Sequence, residues 1–136
     1  MVLVRSYVPA QESAWECDMN GAVRVGLSAK YEGSDENRTP EHLYAAALLN
    51  CFIATVQVLA RTSGISYDAI EGTAETTSGA KEGLSWIESC HIRTVVHGCD
   101  DHERMERILE RAEHVCTITN SVETRVEITA SFSDVT

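Results

Sequence analysis

Thr39-Pro40-Glu41-His42-Leu43-Tyr44-Ala45-Ala46-Ala47-Leu48-Leu49-Asn50-Cys51-Phe52 is the stretch that decides what must surround it. Thr39 suits a helix N-cap and Pro40 the first helical position, where a missing N–H costs nothing, with Glu41 and His42 in the first turn. From Leu43 to Ala60 the residues Leu, Ala, Tyr, Phe, Ile and Val fall on every face, and Gly64 offers a C-terminal stop. A helix apolar all round belongs in a protein core or in a bilayer. Its ~20 residues would reach across a membrane. However, Asn50 and Gln57 interrupt it, three consecutive alanines dilute it, and no flanking basic cluster orients it. The stretch predicts the buried central helix of a globular protein. One small sheet cannot cover such a helix on all sides, so a second copy is expected to supply the rest, giving a homodimer.

Upstream, Val2–Val8, Ala14–Cys17 and Ala22–Ala29 read as short strands, with Asn20-Gly21 as a hairpin signal because both residues tolerate positive φ. Residues 32–38 are polar and loop-like. Downstream, Tyr67–Thr77 and Leu84–Val96 read as strands joined near Ser78-Gly79. In the second of these, Leu84, Trp86, Cys90, Ile92 and Val96 share one face with Glu88 and Thr94 as exceptions, and Ser89, His91, Arg93 and His97 lie on the other. Asp100 as N-cap with Glu103 following opens a second helix. There Met105, Ile108, Leu109, Ala112, Val115 and Cys116 form one apolar stripe. Val122, Val126, Ile128, Ala130 and Phe132 then lie on the apolar side of a half-buried final strand. The order βββ-α-ββ-α-β makes an α+β fold, expected as a single domain over residues 1–136.

The composition narrows the function. A chain of 136 residues with 43% apolar and 24% charged side chains can bury a core, so disorder is excluded. A net charge of −10 repels phosphate backbones and anionic lipid, which argues against nucleic-acid and membrane partners. Only Lys30 and Lys81 stand beside nine arginines, a balance favoured by a high-salt cytoplasm and equally by a GC-biased genome. The five cysteines are Cys17, Cys51, Cys90, Cys99 and Cys116, an odd and scattered set without a C-x-x-C. The opening Met-Val-Leu-Val-Arg carries no signal-peptide pattern, so a reducing cytoplasm is expected.

Cys51 lies mid-way along the apolar helix, and Cys116 stands 65 residues later near the end of the amphipathic one. Both face the core and could meet. Glu41 lies ten residues before Cys51, about 15 Å along the helix axis, so the two cannot touch within one chain. If two copies of the helix cross antiparallel about Ala46, Glu41 meets the second copy's Cys51, and Ala45, Ala46 and Ala47 permit the close approach. His91, His97, Cys99, His102, His114 and Cys116 are conceivable zinc ligands, but His97-x-Cys99-x-x-His102 straddles a turn and lacks a paired motif. Arg104, Arg107 and Arg111 alternate with Glu103, Glu106, Glu110 and Glu113, a face laced with helical ion pairs. Glycine-rich phosphate loops and G-x-S-x-G elbows are missing from the sequence. No metal or cofactor is expected.

The Thr39–Phe52 stretch resembles the signature helix of the OsmC/Ohr family, the osmotically induced protein C and organic hydroperoxide resistance proteins. It has the Pro-Glu, the Leu-Ala-Ala-type run and the Cys-Phe ten residues after the Glu. The second family cysteine matches Cys116 within Glu113-His114-Val115-Cys116-Thr117-Ile118-Thr119-Asn120-Ser121. The resemblance implies an intertwined homodimer with long central helices packed against sheets from both chains, and thiol peroxidase chemistry. Cys51 would be the peroxidatic thiolate, passing through a sulfenic acid, and Cys116 would resolve it as a disulfide. A dithiol, in this family often on a lipoylated protein, would reduce that disulfide. The partner subunit's Glu41 would orient a cation over the Cys51 sulfur. The family arginine that activates the thiolate is matched by Lys30 in Lys30-Tyr31-Glu32-Gly33, with Arg38 and Arg24 as the other candidates, and Thr117 replaces a common proline. The rival reading is a non-enzymatic dimer of the same fold. It would bind a small apolar ligand near Tyr44, Phe52, Trp15 and Trp86, or serve as a redox sensor.

Overall fold

The computed structural model describes residues 5–7, 9 and 11–134. Contacts gather the chain into two compact units, Met1–Tyr44 and Ala45–Thr136.

In the first unit a three-stranded antiparallel sheet runs β1 (Arg5–Ser6), β2 (Ala14–Asp18) and β3 (Ala22–Gly26). Of the expected Val2–Val8 strand only Arg5–Ser6 is formed within the described residues. Asp18 pairs with Ala22, and Asn20 and Gly21 between them take positive φ of 62° and 127°, as the Asn-Gly signal predicts. The third strand is shorter than expected. After Gly26 the chain leaves the sheet and makes a 3-10 turn at Ala29–Tyr31. The leaving strand is tied down by the Gly26 N–H to the Arg38 carbonyl (2.7 Å) and the Leu27 N–H to the Ser13 carbonyl (2.7 Å).

Helix α1 (Pro40–Thr62) starts where the Thr-Pro-Glu pattern places it and passes into the second unit. Its buried residues are Leu48, Phe52, Val56 and Ala60, a single i, i+4 stripe. Ala46, Ala47, Ala54 and Val58 are exposed, Val58 by 59%. The helix is therefore covered on one face only, where the sequence predicts burial all round. Gly64, at φ 69°, ends it, with the Ile65 N–H bonded to the Ala60 carbonyl.

The rest of the second unit is a sheet ordered β4 (Ala69–Lys81), β5 (Leu84–His97), β6 (Arg125–Ser133), with α2 (His102–Val115) and α3 (Thr117–Asn120) in the connection between β5 and β6. The β4–β5 turn is Glu82-Gly83, at φ 55° and 79°, rather than Ser78-Gly79. Strand alternation simply continues past Ser78 through a bulge. Thr77 pairs with Ser89 and Ser78 with Ile87, leaving Glu88 as the extra residue. The bulge turns Ile87 to the Cys90 face and Trp86 away from it, so Leu84 (70% exposed) and Trp86 (46%) leave the core face on which the sequence places them. Beyond the bulge the expected face holds: Cys90, Ile92 and Val96 are buried, and buried Thr94 donates to the Thr129 carbonyl at 3.4 Å.

Gly72 on β4 is set by close approach, since a Cβ there would lie 2.9 Å from Leu49 Cδ1 of α1 and 3.1 Å from Thr94 Cγ2. The N-cap of α2 is Asp101, not Asp100: its carboxylate accepts from the Arg104 N–H at 3.1 Å. Asp100 is drawn away to Ser66, accepting from its N–H at 3.3 Å. Met105, Ile108, Leu109 and Ala112 form the buried stripe, while Val115 is 44% exposed. The final strand pairs parallel to β5, with Cys90 opposite Val126 and Ile92 opposite Ile128.

Candidate active site

Two sulfur atoms meet in the second unit. Cys51 sits at mid-helix on α1, half-buried. It opens on a groove of about 370 Å³ whose other walls are Ala54, Thr55, Val58, Leu59 and Val115. The Thr55 hydroxyl donates back to the Cys51 carbonyl at 2.7 Å, leaving a methyl group for the groove. Cys116 is fully buried at the joint between α2 and α3. Its N–H closes α2 on the Ala112 carbonyl at 3.0 Å, and its own carbonyl accepts from the Asn120 N–H at 3.0 Å. The backbone at Cys116 is extended (φ −64°, ψ 115°), which points the next turn back over its sulfur.

Donors converge on that sulfur. The Thr119 hydroxyl donates to Cys116 Sγ at 3.3 Å, and the Cys51 side chain lies within reach of the same sulfur. The N–H groups of Thr119 and Ile118 face it, short of a capping hydrogen bond. Burial alone would raise the Cys116 pKa. The Thr119 hydroxyl and amide, the Cys51 thiol and the Ile118 amide outweigh it and bring the pKa below its ordinary value. The other buried cysteines behave oppositely. Burial pushes the Cys90 thiol up. At Cys99 burial, aided by the charges of Asp100, Asp101 and Asp134, prevails over the lowering influence of the Asp101 backbone and raises the pKa.

The remaining expected site residues belong to the first unit. Glu41 is exposed in the first turn of α1. Arg38 is exposed, and its carbonyl is taken by Gly26. Lys30 lies over the Tyr31 ring at 5.4 Å, and Arg24 faces Glu16 across the β2–β3 register. Cys51 and Cys116 both lie in the second unit, and Cys51 is among the groups that act on the Cys116 sulfur. Thr119 carries no recognisable signal beyond being a hydroxyl residue three positions after a cysteine in a polar turn. Neither Phe52 nor Trp86 lines the Cys51 groove: Phe52 is wholly buried, and Trp86 lies beyond the bulge.

The histidines have other work. His97 pairs with Glu71 at 2.5 Å, and His91 with Thr129 at 3.2 Å. His102 pairs with Asp134 at 3.1 Å and stacks on Phe132 at 4.2 Å between ring centres. Among the described residues no three His, Cys, Asp or Glu side chains converge as metal donors. The zinc alternative at His97, Cys99 and His102 is set aside for that reason.

The family model for OsmC-like proteins matches residues 33–131. No curated protein is matched by the sequence. Among solved structures, an OsmC-like protein from Vibrio cholerae superposes with a TM-score of 0.79 at 18% identity, covering 96% of this chain and 97% of that one. An OsmC-like protein from Mycoplasma pneumoniae reaches 0.83 at 10% identity over 98% of both chains. An organic hydroperoxide resistance protein from Elizabethkingia anophelis gives 0.76 at 18% identity, over 98% of this chain and 96% of that one. These likenesses are likenesses of fold.

Proposed function

The chain belongs to the OsmC family, and on that footing we propose that it is a thiol peroxidase reducing organic hydroperoxides or hydrogen peroxide through Cys51 and Cys116. The observation that supports this reading is that the Cys51 side chain lies close enough to the Cys116 sulfur to act on it. Two sulfurs within reach of one another are what a disulfide between these helices requires. The Cys51 thiolate attacks the terminal peroxide oxygen, the O–O bond breaks, and the alcohol leaves with a proton as Cys51 becomes a sulfenic acid. The Cys116 thiolate then attacks the Cys51 sulfur, expelling hydroxide that leaves as water. The sum is two thiols and ROOH giving one disulfide, ROH and water. An external dithiol, of the kind carried by lipoylated proteins, takes the enzyme back to the reduced state.

Only Cys51 of the pair reaches the groove, which suits it to first attack, and the apolar walls favour an alkyl hydroperoxide. In the reading as a homodimer, the partner subunit's Glu41 approaches Cys51 and orients Lys30, Arg38 or Arg24 toward the sulfur. The exposed Ala46, Ala54 and Val58 face of α1 supplies the contact. The helix is long and apolar enough to cross a membrane. Here it is placed inside a protein core, and the protein in the cytoplasm.

The reduced protein treated with cumene hydroperoxide, then mapped by non-reducing peptide mass spectrometry, should form a stoichiometric Cys51–Cys116 disulfide. The reaction should run faster than with hydrogen peroxide and be abolished in Cys51→Ser. Thiols that stay reduced would remove the peroxidase reading. The same apolar groove would then hold a small ligand without chemistry, which native mass spectrometry would detect.

A further inference from the structure

Helix α2 sorts its charges by face. Glu106, Glu110 and Glu113 follow at i, i+4 and i+7, within about 60° of one line along the helix, while Arg104, Arg107 and Arg111 fall about 100° to 160° round from Glu106. The sequence suggests a face laced with ion pairs, but on this helix the structure forms one, Arg107 to Glu103 at 2.9 Å. Among the described residues, Glu106, Glu110 and Glu113 have neither an ion-pair nor a hydrogen-bond partner. All three stand on one wall of a groove of about 270 Å³ between α2 and β6. Its floor is apolar, made by Phe52 of α1, Leu109 of α2, and Ile128 and Phe132 of β6. The core face of the sheet is uncovered here. Cys90, Ile92 and Val96 on β5 are wholly buried, whereas Ile128 and Phe132 are half-buried and Ala130 is exposed. Phe132 is held by its stack on His102, 4.2 Å between ring centres. This groove shares no residue with the one that Cys51 opens on, and Phe52 lies about 100° round α1 from Cys51.

Unpaired carboxylates above an apolar floor select one kind of occupant. An anion would meet three like charges, and a neutral apolar molecule would use the floor alone. A cation with an apolar body uses both, covering the rings with its body and setting its charge among the carboxylates. We propose that the groove between α2 and β6 binds a small organic ammonium ion carrying one ring or a short alkyl chain. The volume sets the size of the ligand. It lies just under the ~300–1,000 Å³ usual for ligand pockets, so one ring with a short arm fills it. A protein partner needs a surface of ~800 Å² on each side, far more than this groove offers. Among the described residues no three carboxylates converge as metal donors, so the wall acts as a field and not as a cage for a bare ion. The net charge of −10 draws cations to the whole molecule, and the apolar floor is what localises one at this wall. The inference stands apart from the peroxidase reading, since the ligand does not touch Cys51.

The test titrates 2-phenylethylammonium into the full-length reduced protein at low salt, with 2-phenylethanol and phenylacetate as neutral and anionic counterparts of similar shape. Binding is followed by the NMR shifts of Phe52, Ile128 and Phe132. The ammonium should bind about tenfold tighter than the alcohol, because an exposed ion pair is worth a factor of a few and three carboxylates contribute. Phenylacetate should not bind, and added salt should erase most of the ammonium's advantage. Glu106→Gln, Glu110→Gln and Glu113→Gln combined should bring the ammonium down to the affinity of the alcohol and leave the alcohol unchanged. Ala130→Leu, which fills part of the groove, should weaken both. All four positions are exposed, and denaturant unfolding checks that each variant keeps its fold. The inference is overturned if the probes bind alike, if the triple variant holds the ammonium as the parent does, or if Ala130→Leu leaves both affinities unchanged. Shifts that map to the Cys51 groove would overturn it too. So would binding by neither probe, the result expected where a second copy already covers β6.

Discussion

Cys90, Cys99 and Cys116 are all buried, yet only Cys116 has its thiol made more acidic. The difference lies in what fills the space around each sulfur: for Cys90, neighbours that do not offset burial, and for Cys116, a hydroxyl, a thiol and two amides. Cys90→Ala and Cys99→Ala should therefore leave peroxide-driven disulfide formation intact and cost roughly 1 kcal/mol of stability from small cavities, measured by denaturant unfolding. A second expectation follows from linkage. Because the folded Cys116 pKa lies below its unfolded value, the stability it contributes is fully present above the unfolded value. That stability is lost as pH falls through the folded value. The melting temperature of the parent relative to Cys116→Ser should rise as pH approaches 9, near the ordinary thiol value of 9.0, and a flat difference would contradict the assignment. Both cysteines were legible in the sequence, through their placement on core-facing helix surfaces and the family spacing. Thr119 was not, because its contact depends on the extended backbone at Cys116, which no local pattern announces.

At the scale of elements, the helices were readable wherever spacing and caps agreed. Thr39-Pro40-Glu41 marks the start of α1, and the stripe from Met105 to Ala112 marks α2. Errors appear where tertiary contact chose between neighbours. The sequence points to Asp100 as the cap, but Ser66 engages Asp100 and its neighbour Asp101 caps the helix instead. Asp101→Ala should lose about 1 kcal/mol as a lost cap, and Asp100→Ala less, by thermal unfolding. The bulge at Glu88 shows in the sequence only as a polar exception to the apolar alternation of β5, and Thr94 is the same kind of exception without a bulge. Parallel pairing of β6 to β5 was hidden: a half-buried strand shows which side faces the core, but not which way it runs. Gly72→Val should be strongly destabilising, because the added side chain would enter the space of Leu49 Cδ1.

For the molecule as a whole, the exposed face of α1 is the feature that asks for a partner. Val58 is 59% exposed, beside a row of alanines on a helix whose other side is packed. Sedimentation of the reduced protein should give a dimer of about 30 kDa, twice the 14.9 kDa chain. Ala46→Arg, at the proposed crossing point, should shift it toward monomer and lower its melting temperature. A monomeric parent would dispose of the dimer and of any role for the partner subunit's Glu41. The α+β class was legible at this scale because element order alone constrains it. That one chain would leave part of α1 uncovered was legible too, because the helix carries more apolar surface than one small sheet can cover.

The parallel alignment of β6 with β5 has a consequence for how the protein is made. Antiparallel β4 and β5 are joined by a two-residue turn and can pair as soon as both exist. By contrast, β6 reaches β5 only after the chain from Gly98 to Thr124 has been laid down and crossed over. Cys116 lies within that crossover. During synthesis, then, Cys51 is complete and solvent-accessible long before its partner sulfur arrives, and the slow, non-local closure of the crossover is the event that joins them. A nascent or C-terminally shortened chain carries Cys51 without Cys116 beside it, whereas the finished chain holds both in one unit. The pairing of the two cysteines doubles as a mark of completed folding.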